Sequence, residues 1–148
     1  MQLNVFRTLW GVTTPWQQTV SELQSVGCCG IEARLPLTTE EQRTLARRLE
    51  ASALQYIAIV FSGGGVIPAQ AETPAQHLER LKERFAAAKA LNPRFVNLLA
   101  GNDRWPLAQQ VDFLGRAHEL AAEYELLCSF ETHRATSLYS PWLTLEII

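Results

Sequence analysis

Leu126-Leu127-Cys128-Ser129-Phe130-Glu131-Thr132-His133-Arg134 opens as an apolar strand and closes on four polar residues. Residues two apart in a strand point to the same side. The spacing therefore predicts that Glu131 and His133 aim together past the carboxyl end of the strand, where α/β folds carry their chemistry. Fifteen residues follow His133 in the 148-residue chain. The expectation is that this strand belongs to the last complete unit of a short series.

Upstream of this stretch, short apolar strands alternate with longer amphipathic helices. Val5 to Trp10 reads as the first strand, closed by Gly11. Thr14 is then expected to cap a helix with Pro15 at its first position and Trp16, Val20, Leu23 and Val26 on one face. Gly30 to Leu35 reads as a second strand, followed by a helix whose capping box pairs Thr39 with Gln42. Leu54 to Phe61 is a third strand, broken by Ser62-Gly63-Gly64-Gly65. Thr73, Pro74 and Gln76 repeat the cap and capping-box arrangement before a long helix with Leu78, Leu81, Phe85, Ala88 and Leu91 on one face. Phe95 to Gly101 is a fourth strand, and Leu107, Val111, Leu114 and Ala121 outline a helix from about Pro106 to Tyr124. After the fifth strand, Ser140-Pro141 marks the start of a fifth helix, with Trp142 and Leu145 on a shared face. No linker or low-complexity stretch interrupts residues 1–148, so a single domain is expected.

Composition narrows the function classes. Thirteen basic and fifteen acidic residues give a net charge of −2, with a pI near 5.9. That leaves no cationic surplus for phosphate backbones, so nucleic acid is not an expected partner. The longest apolar runs are far below the roughly 20 residues that span a bilayer. A soluble, cytoplasmic protein is expected, with no membrane partner. Three cysteines, two of them adjacent (Cys28 and Cys29), imply no disulfide framework, and no C-x-x-C metal spacing is present. Cys128, inside the apolar run, reads as a small buried hydrophobe.

Alternating strands and helices imply a parallel sheet with right-handed crossovers. Five units fit an open doubly wound sheet, whereas a (β/α)₈ barrel typically takes about 250 residues. Length alone favours the open sheet.

Motif order points the other way. Leu9-Trp10-Gly11 after strand one, Gly27 to Glu32 leading into strand two, Ser62-Gly63-Gly64-Gly65 after strand three, and Phe130-Glu131-Thr132-His133-Arg134 with Ser140-Pro141-Trp142 downstream together resemble the xylose isomerase-like TIM-barrel superfamily, in its bacterial sugar phosphate isomerase/epimerase type. The resemblance implies an α/β fold of parallel (β/α) units, an incomplete barrel with about five strands of eight. It also implies a divalent metal (Mn, Mg or Zn) at the carboxyl end of the barrel, with ligands from strands five to eight. Of these, only the strand-five position is present, as Glu131. A cation on one carboxylate is weakly held, so metal binding by this chain alone is doubtful and the catalytic site is expected to be incomplete.

The implied chemistry is metal-assisted proton transfer beside a carbonyl of a sugar or sugar phosphate. Glu131 would bind the metal. His133 would donate to a substrate oxygen or, in its alternative role, hydrogen-bond a neighbouring carboxylate. Glu32 and Arg34 share a side at the end of strand two and are expected either to contact substrate or, preferentially, to neutralise each other. Arg134 suits a phosphate or carboxylate. Trp10 forms either an apolar wall for a sugar ring or part of the core. His77 and His118 lie on helices, remote from the strand ends, and are assigned to surface or packing roles. The triple glycine lacks the phosphate-loop pattern and reads as a flexible turn.

Two rival functions compete with this one. The related zinc-dependent endonucleases that cleave at abasic sites need histidines at the ends of strands three and four, where this chain has Ser62-Gly63 and Gly101-Asn102. A non-catalytic barrel fragment acting as an oligomeric or binding protein is the stronger rival. An open arc leaves its first and fifth strands and its inner apolar side chains exposed, so self-association is expected.

Overall fold

The computed structural model describes residues 3–147. Five strands and five helices alternate: β1 (Phe6–Thr8), α1 (Trp16–Ser25), β2 (Gly30–Arg34), α2 (Thr39–Ser52), β3 (Gln55–Phe61), α3 (Pro74–Leu91), β4 (Phe95–Leu99), α4 (Leu107–Glu123), β5 (Cys128–Phe130) and α5 (Pro141–Ile147). The strands form one sheet in sequential order, and all neighbours are parallel.

Side-chain parity shows which face the helices cover. Ile31, Tyr56, Ala58, Val60, Val96, Leu98 and Ala100 enter one apolar cluster with Leu23 of α1, Leu49 of α2, Leu78, Leu81 and Phe85 of α3, and Phe113, Ala117 and Leu120 of α4. Each large side chain fully buried there contributes on the order of 1.5–3 kcal/mol. Ile57, Ile59 and Leu99, of the opposite parity, lie outside that cluster. The helices thus line one side of a sequentially ordered sheet, the arrangement of a barrel wall and not of a doubly wound sandwich. Gly30 is required by this packing, since the Phe6 ring and the Gln55 carbonyl occupy the space a β-carbon would need.

Several element boundaries differ from expectation for local reasons. The α2 capping box is Thr38 with Glu41, where each side chain accepts from the other's backbone N–H at 3.3 Å. Thr39 and Gln42 lie one position inside it. Pro15 precedes α1, and no side chain caps that helix; Thr14 Oγ1 instead hydrogen-bonds Thr19 Oγ1 at 2.9 Å. Val26 lies beyond the helix end and is exposed. On α4 the buried face is Gln110, Phe113, Leu114, Ala117, Leu120 and Ala121, so Leu107 and Val111 fall outside it. Trp142 and Leu145 of α5 are both exposed. The Thr73–Gln76 box and the apolar face of α3 are as expected.

The inner apolar side chains are not exposed as expected. Ile57, Ile59 and Leu99 are only 5–7% exposed, because the sheet's curvature draws inward side chains of neighbouring strands over one another. The edges remain open, with Leu127 beside β5 71% exposed.

Candidate active site

Strand register sorts the inward side chains into rows. Thr8, Glu32, Ile57 and Phe95 form one row, Arg34, Ile59, Asn97 and Ser129 the next, and Phe61 and Leu99 a third nearest the carboxyl end. The face is apolar at its centre and polar towards both flanks. Glu131 continues it, since its N–H donates to the Leu98 carbonyl at 3.0 Å just beyond β5.

Asn97 joins the two carboxylates of this face. Its Nδ2 donates to Glu131 Oε2 at 2.8 Å and to Glu32 Oε1 at 3.3 Å. Ionised carboxylates only accept, so the amide nitrogen has to face them. Asn97 Oδ1 then accepts from Ser129 Oγ at 3.4 Å. Sequence reasoning missed Asn97, although a polar residue inside the apolar run Phe95 to Leu99, on the inward parity, was the available signal.

Glu32 and Arg34 do not neutralise each other, contrary to the preferred expectation. Glu32 is held by Asn97. The Arg34 guanidinium lies 4.1 Å from the Trp10 ring centroid and 5.4 Å from that of Phe61, a cation between two aromatic faces. Alternation along a strand puts the two residues on one side, but Trp10 and Phe61 offer Arg34 a different seat. Trp10 is half exposed and outside the core.

β5 ends at Phe130, so strand alternation does not extend to His133. His133 Nδ1 lies 2.8 Å from the Arg134 carbonyl oxygen, in place of the carboxylate considered for it. A carbonyl can only accept, so Nδ1 carries the proton and Nε2 is left unengaged. Arg134 is exposed. Cys128 is part-buried, and burial pushes its thiol up to about 11, which makes it an inert packing group.

His77 is not remote from the strand ends. It is fully buried, and its Nδ1 lies 2.9 Å from Ser62 Oγ at the end of β3. Glu72 Oε2 lies 3.0 Å from Nε2, off the N–H axis. Ser62 Oγ accepts from Gly101 N–H at 2.8 Å, and Ser137 Oγ accepts from Asn102 N–H at 3.2 Å. Trp105 Nε1 donates to the Glu72 carbonyl at 2.8 Å, and the Trp105 and His77 rings meet edge to face at 4.8 Å. These contacts tie the loops after β3, β4 and β5 together. Burial pushes His77 down to about 4 despite Glu72, so the imidazole is neutral at physiological pH. With Ser62 fully buried, this Ser–His–Glu group has no access to substrate and acts as a buckle holding the loops around the site. The glycine run is part of it: Gly64 N–H donates to both Glu72 oxygens at 3.2–3.3 Å.

No protein-family model and no curated protein matches the sequence. Among solved structures, the chain resembles D-allulose 3-epimerase from Methylomonas sp. with a TM-score of 0.71 and 15% identity, over 99% of this chain and 58% of that one. A probable 3-DHS dehydratase from Bacillus anthracis gives 0.69 and 16%, over 98% and 58%. A sugar phosphate isomerase/epimerase from Parabacteroides distasonis gives 0.67 and 10%, over 97% and 61%. The fold is that of the xylose isomerase-like TIM barrels. The chain spans about 58% of the length of the first of these neighbours and supplies five of the strand–helix units of such a barrel. At these identities the likeness speaks for the fold, which serves dehydratase as well as epimerase chemistry.

Proposed function

We propose that these five units form the sugar-binding part of a sugar or sugar phosphate isomerase/epimerase, acting by metal-assisted proton transfer beside a carbonyl, with a catalytic site that this chain does not complete. The reading rests on the Glu32–Asn97–Glu131 ladder, a set of acceptors and donors on the concave face suited to vicinal hydroxyls, with Trp10 at its rim. Epimerase and isomerase neighbours support it.

The donor set fits one corner of a divalent-metal site and not the whole. Glu131 presents a carboxylate with one oxygen free of Asn97, but no group of three or more His, Cys, Asp or Glu among the described residues is placed to hold a cation. Further ligands would come from other barrel units or from a partner. In this reading Glu32 and Asn97 hold substrate hydroxyls, Arg34 and Arg134 meet its anionic group, and His133, with its Nδ1 proton engaged by the Arg134 carbonyl, offers Nε2 as an acceptor to a substrate hydroxyl in place of the donor role expected for it. Sugar or sugar phosphate is the small-molecule partner, and nucleic acid has no part. No described helix is long and apolar enough to cross a membrane; a cytoplasmic setting belongs to the proposal, as does self-association through the open edges.

The test is deuterium wash-in beside the carbonyl of a panel of ketoses and ketose phosphates, with and without Mn²⁺ or Mg²⁺. The chain alone should catalyse no exchange and should bind either cation no better than an exposed carboxylate does. Metal-dependent exchange that is lost in Glu131→Gln would overturn the incomplete-site reading.

A further inference from the structure

A second group of residues, beside the Asn97 ladder, has chemistry the ladder does not use. Between the β2–α2 and β3–α3 connections, at the carboxyl end of the sheet, lies a cavity of about 190 Å³ lined by Arg34, Phe61, Gly64, Gly65, Val66 and Arg84, among others. Two guanidinium groups thus border one small cavity, and neither has a carboxylate partner among the described residues.

Both are fixed through Phe61. Arg34 stacks on its ring and on Trp10. Arg84 reaches in from α3, and its Nη1 donates to the Phe61 carbonyl and to the Gly63 carbonyl, the latter at 2.7 Å. The remaining N–H groups of Arg84 have no hydrogen-bond partner among the described residues, and neither does the Gly65 N–H. Burial, reinforced by Arg80 and only partly offset by Glu72 and Glu83, disfavours the charge on Arg84, yet a guanidinium stays protonated in proteins. An anion would offset that cost. Two guanidinium forks held in advance by Phe61, on a cavity that Gly65 also lines, suit a phosphate or carboxylate.

We propose that this cavity binds the oxyanion end of the substrate, through Arg34, Arg84 and the Gly65 N–H, and that the enzyme therefore acts on acidic sugars, sugar phosphates or sugar acids, in preference to neutral ketoses. The proposal deepens the sugar-enzyme reading above and rests on it for the identity of the polyol. Arg34 is the group common to both sites, with the ladder to one side of it and the cavity to the other.

The experiment is a titration of the ¹⁵N-labelled chain at constant ionic strength with inorganic phosphate, fructose 6-phosphate, gluconate and fructose, following the Gly64 and Gly65 amides. Phosphate should shift those amides saturably. Fructose 6-phosphate or gluconate should bind at least tenfold more tightly than fructose, and the stronger of the two identifies the anion. Arg34→Gln should weaken phosphate binding at least tenfold, Arg34→Lys should restore it in part, and Arg116→Gln, on the exposed face of α4, should leave it unchanged. Arg84→Gln removes the bonds to the Phe61 and Gly63 carbonyls together with the anion contact, so the Arg34 variants decide the question. Absence of saturable shifts, or equal loss in Arg116→Gln, would overturn the anion site. Fructose bound as tightly as its phosphate would overturn the substrate preference while leaving the sugar-enzyme reading intact. Phosphate binding without binding of any polyol would uphold the anion site and remove the sugar reading.

Discussion

His77 has no solvent exposure and an imidazole pushed down to about 4 from an ordinary 6.5. Between those values the unfolded chain binds a proton that the folded chain refuses, so the sign is fixed: stability is complete above about pH 6.5 and is lost as pH falls towards 4. The loss from this group is on the order of 3 kcal/mol, since each pH unit between the folded and unfolded values is worth about 1.4 kcal/mol. Urea unfolding of wild type and His77→Gln across that range should give curves that converge as pH falls, and parallel curves would contradict the assignment. At this scale the sequence was only partly legible. Glu131 was singled out by its place after an apolar strand, and its carboxylate does meet Asn97 of the neighbouring strand. His77 was misplaced because its distance from the strand ends along the chain conceals the turn that brings α3 back over Ser62. Arg34 was misread because pairing by strand parity ignores aromatic rings arriving from other strands.

Helices α2 and α3 are set by capping boxes at their amino ends as well as by their buried faces. In α3, Thr73 Oγ1 accepts from Gln76 N–H at 3.4 Å while Gln76 Oε1 accepts from Thr73 N–H at 2.9 Å. Thr73→Ala should cost about 1 kcal/mol, seen as a lower denaturation midpoint at unchanged m-value in urea. This cap and the α3 stripe could be read directly, because the signals are local and repeat at 3.6 residues. The α4 stripe was read correctly at Leu114 and Ala121 but not at Leu107 and Val111, which are apolar but exposed, while the buried Gln110 satisfies its amide N–H on the Trp105 carbonyl at 2.7 Å. Composition cannot distinguish an exposed valine from a glutamine with a partner. The fifth strand was overextended for a related reason: β propensity runs through Leu126 and Leu127, but pairing with β4 begins at Cys128.

For the whole molecule, the class and strand order were readable from the alternation of units and the order of motifs, whereas the burial of Ile57, Ile59 and Leu99 depends on curvature, which no local pattern encodes. The arc still leaves β1 and β5 each paired on one side only, with Leu127, Trp142 and Leu145 exposed. Such edges favour association. Light scattering on dilute protein should therefore report a species larger than the 16.6 kDa chain, and a monomer with a cooperative melt would show that the edges are satisfied internally. In the proposed function the concave face of these five units holds a sugar. Its most direct test is amide chemical-shift mapping during a ketose phosphate titration of wild type and Asn97→Leu. Saturable shifts are expected at Glu32, Asn97, Leu99 and Glu131 that disappear in Asn97→Leu while the spectrum otherwise keeps its dispersion; shifts confined to the helices, or unchanged by Asn97→Leu, would contradict sugar binding at this face.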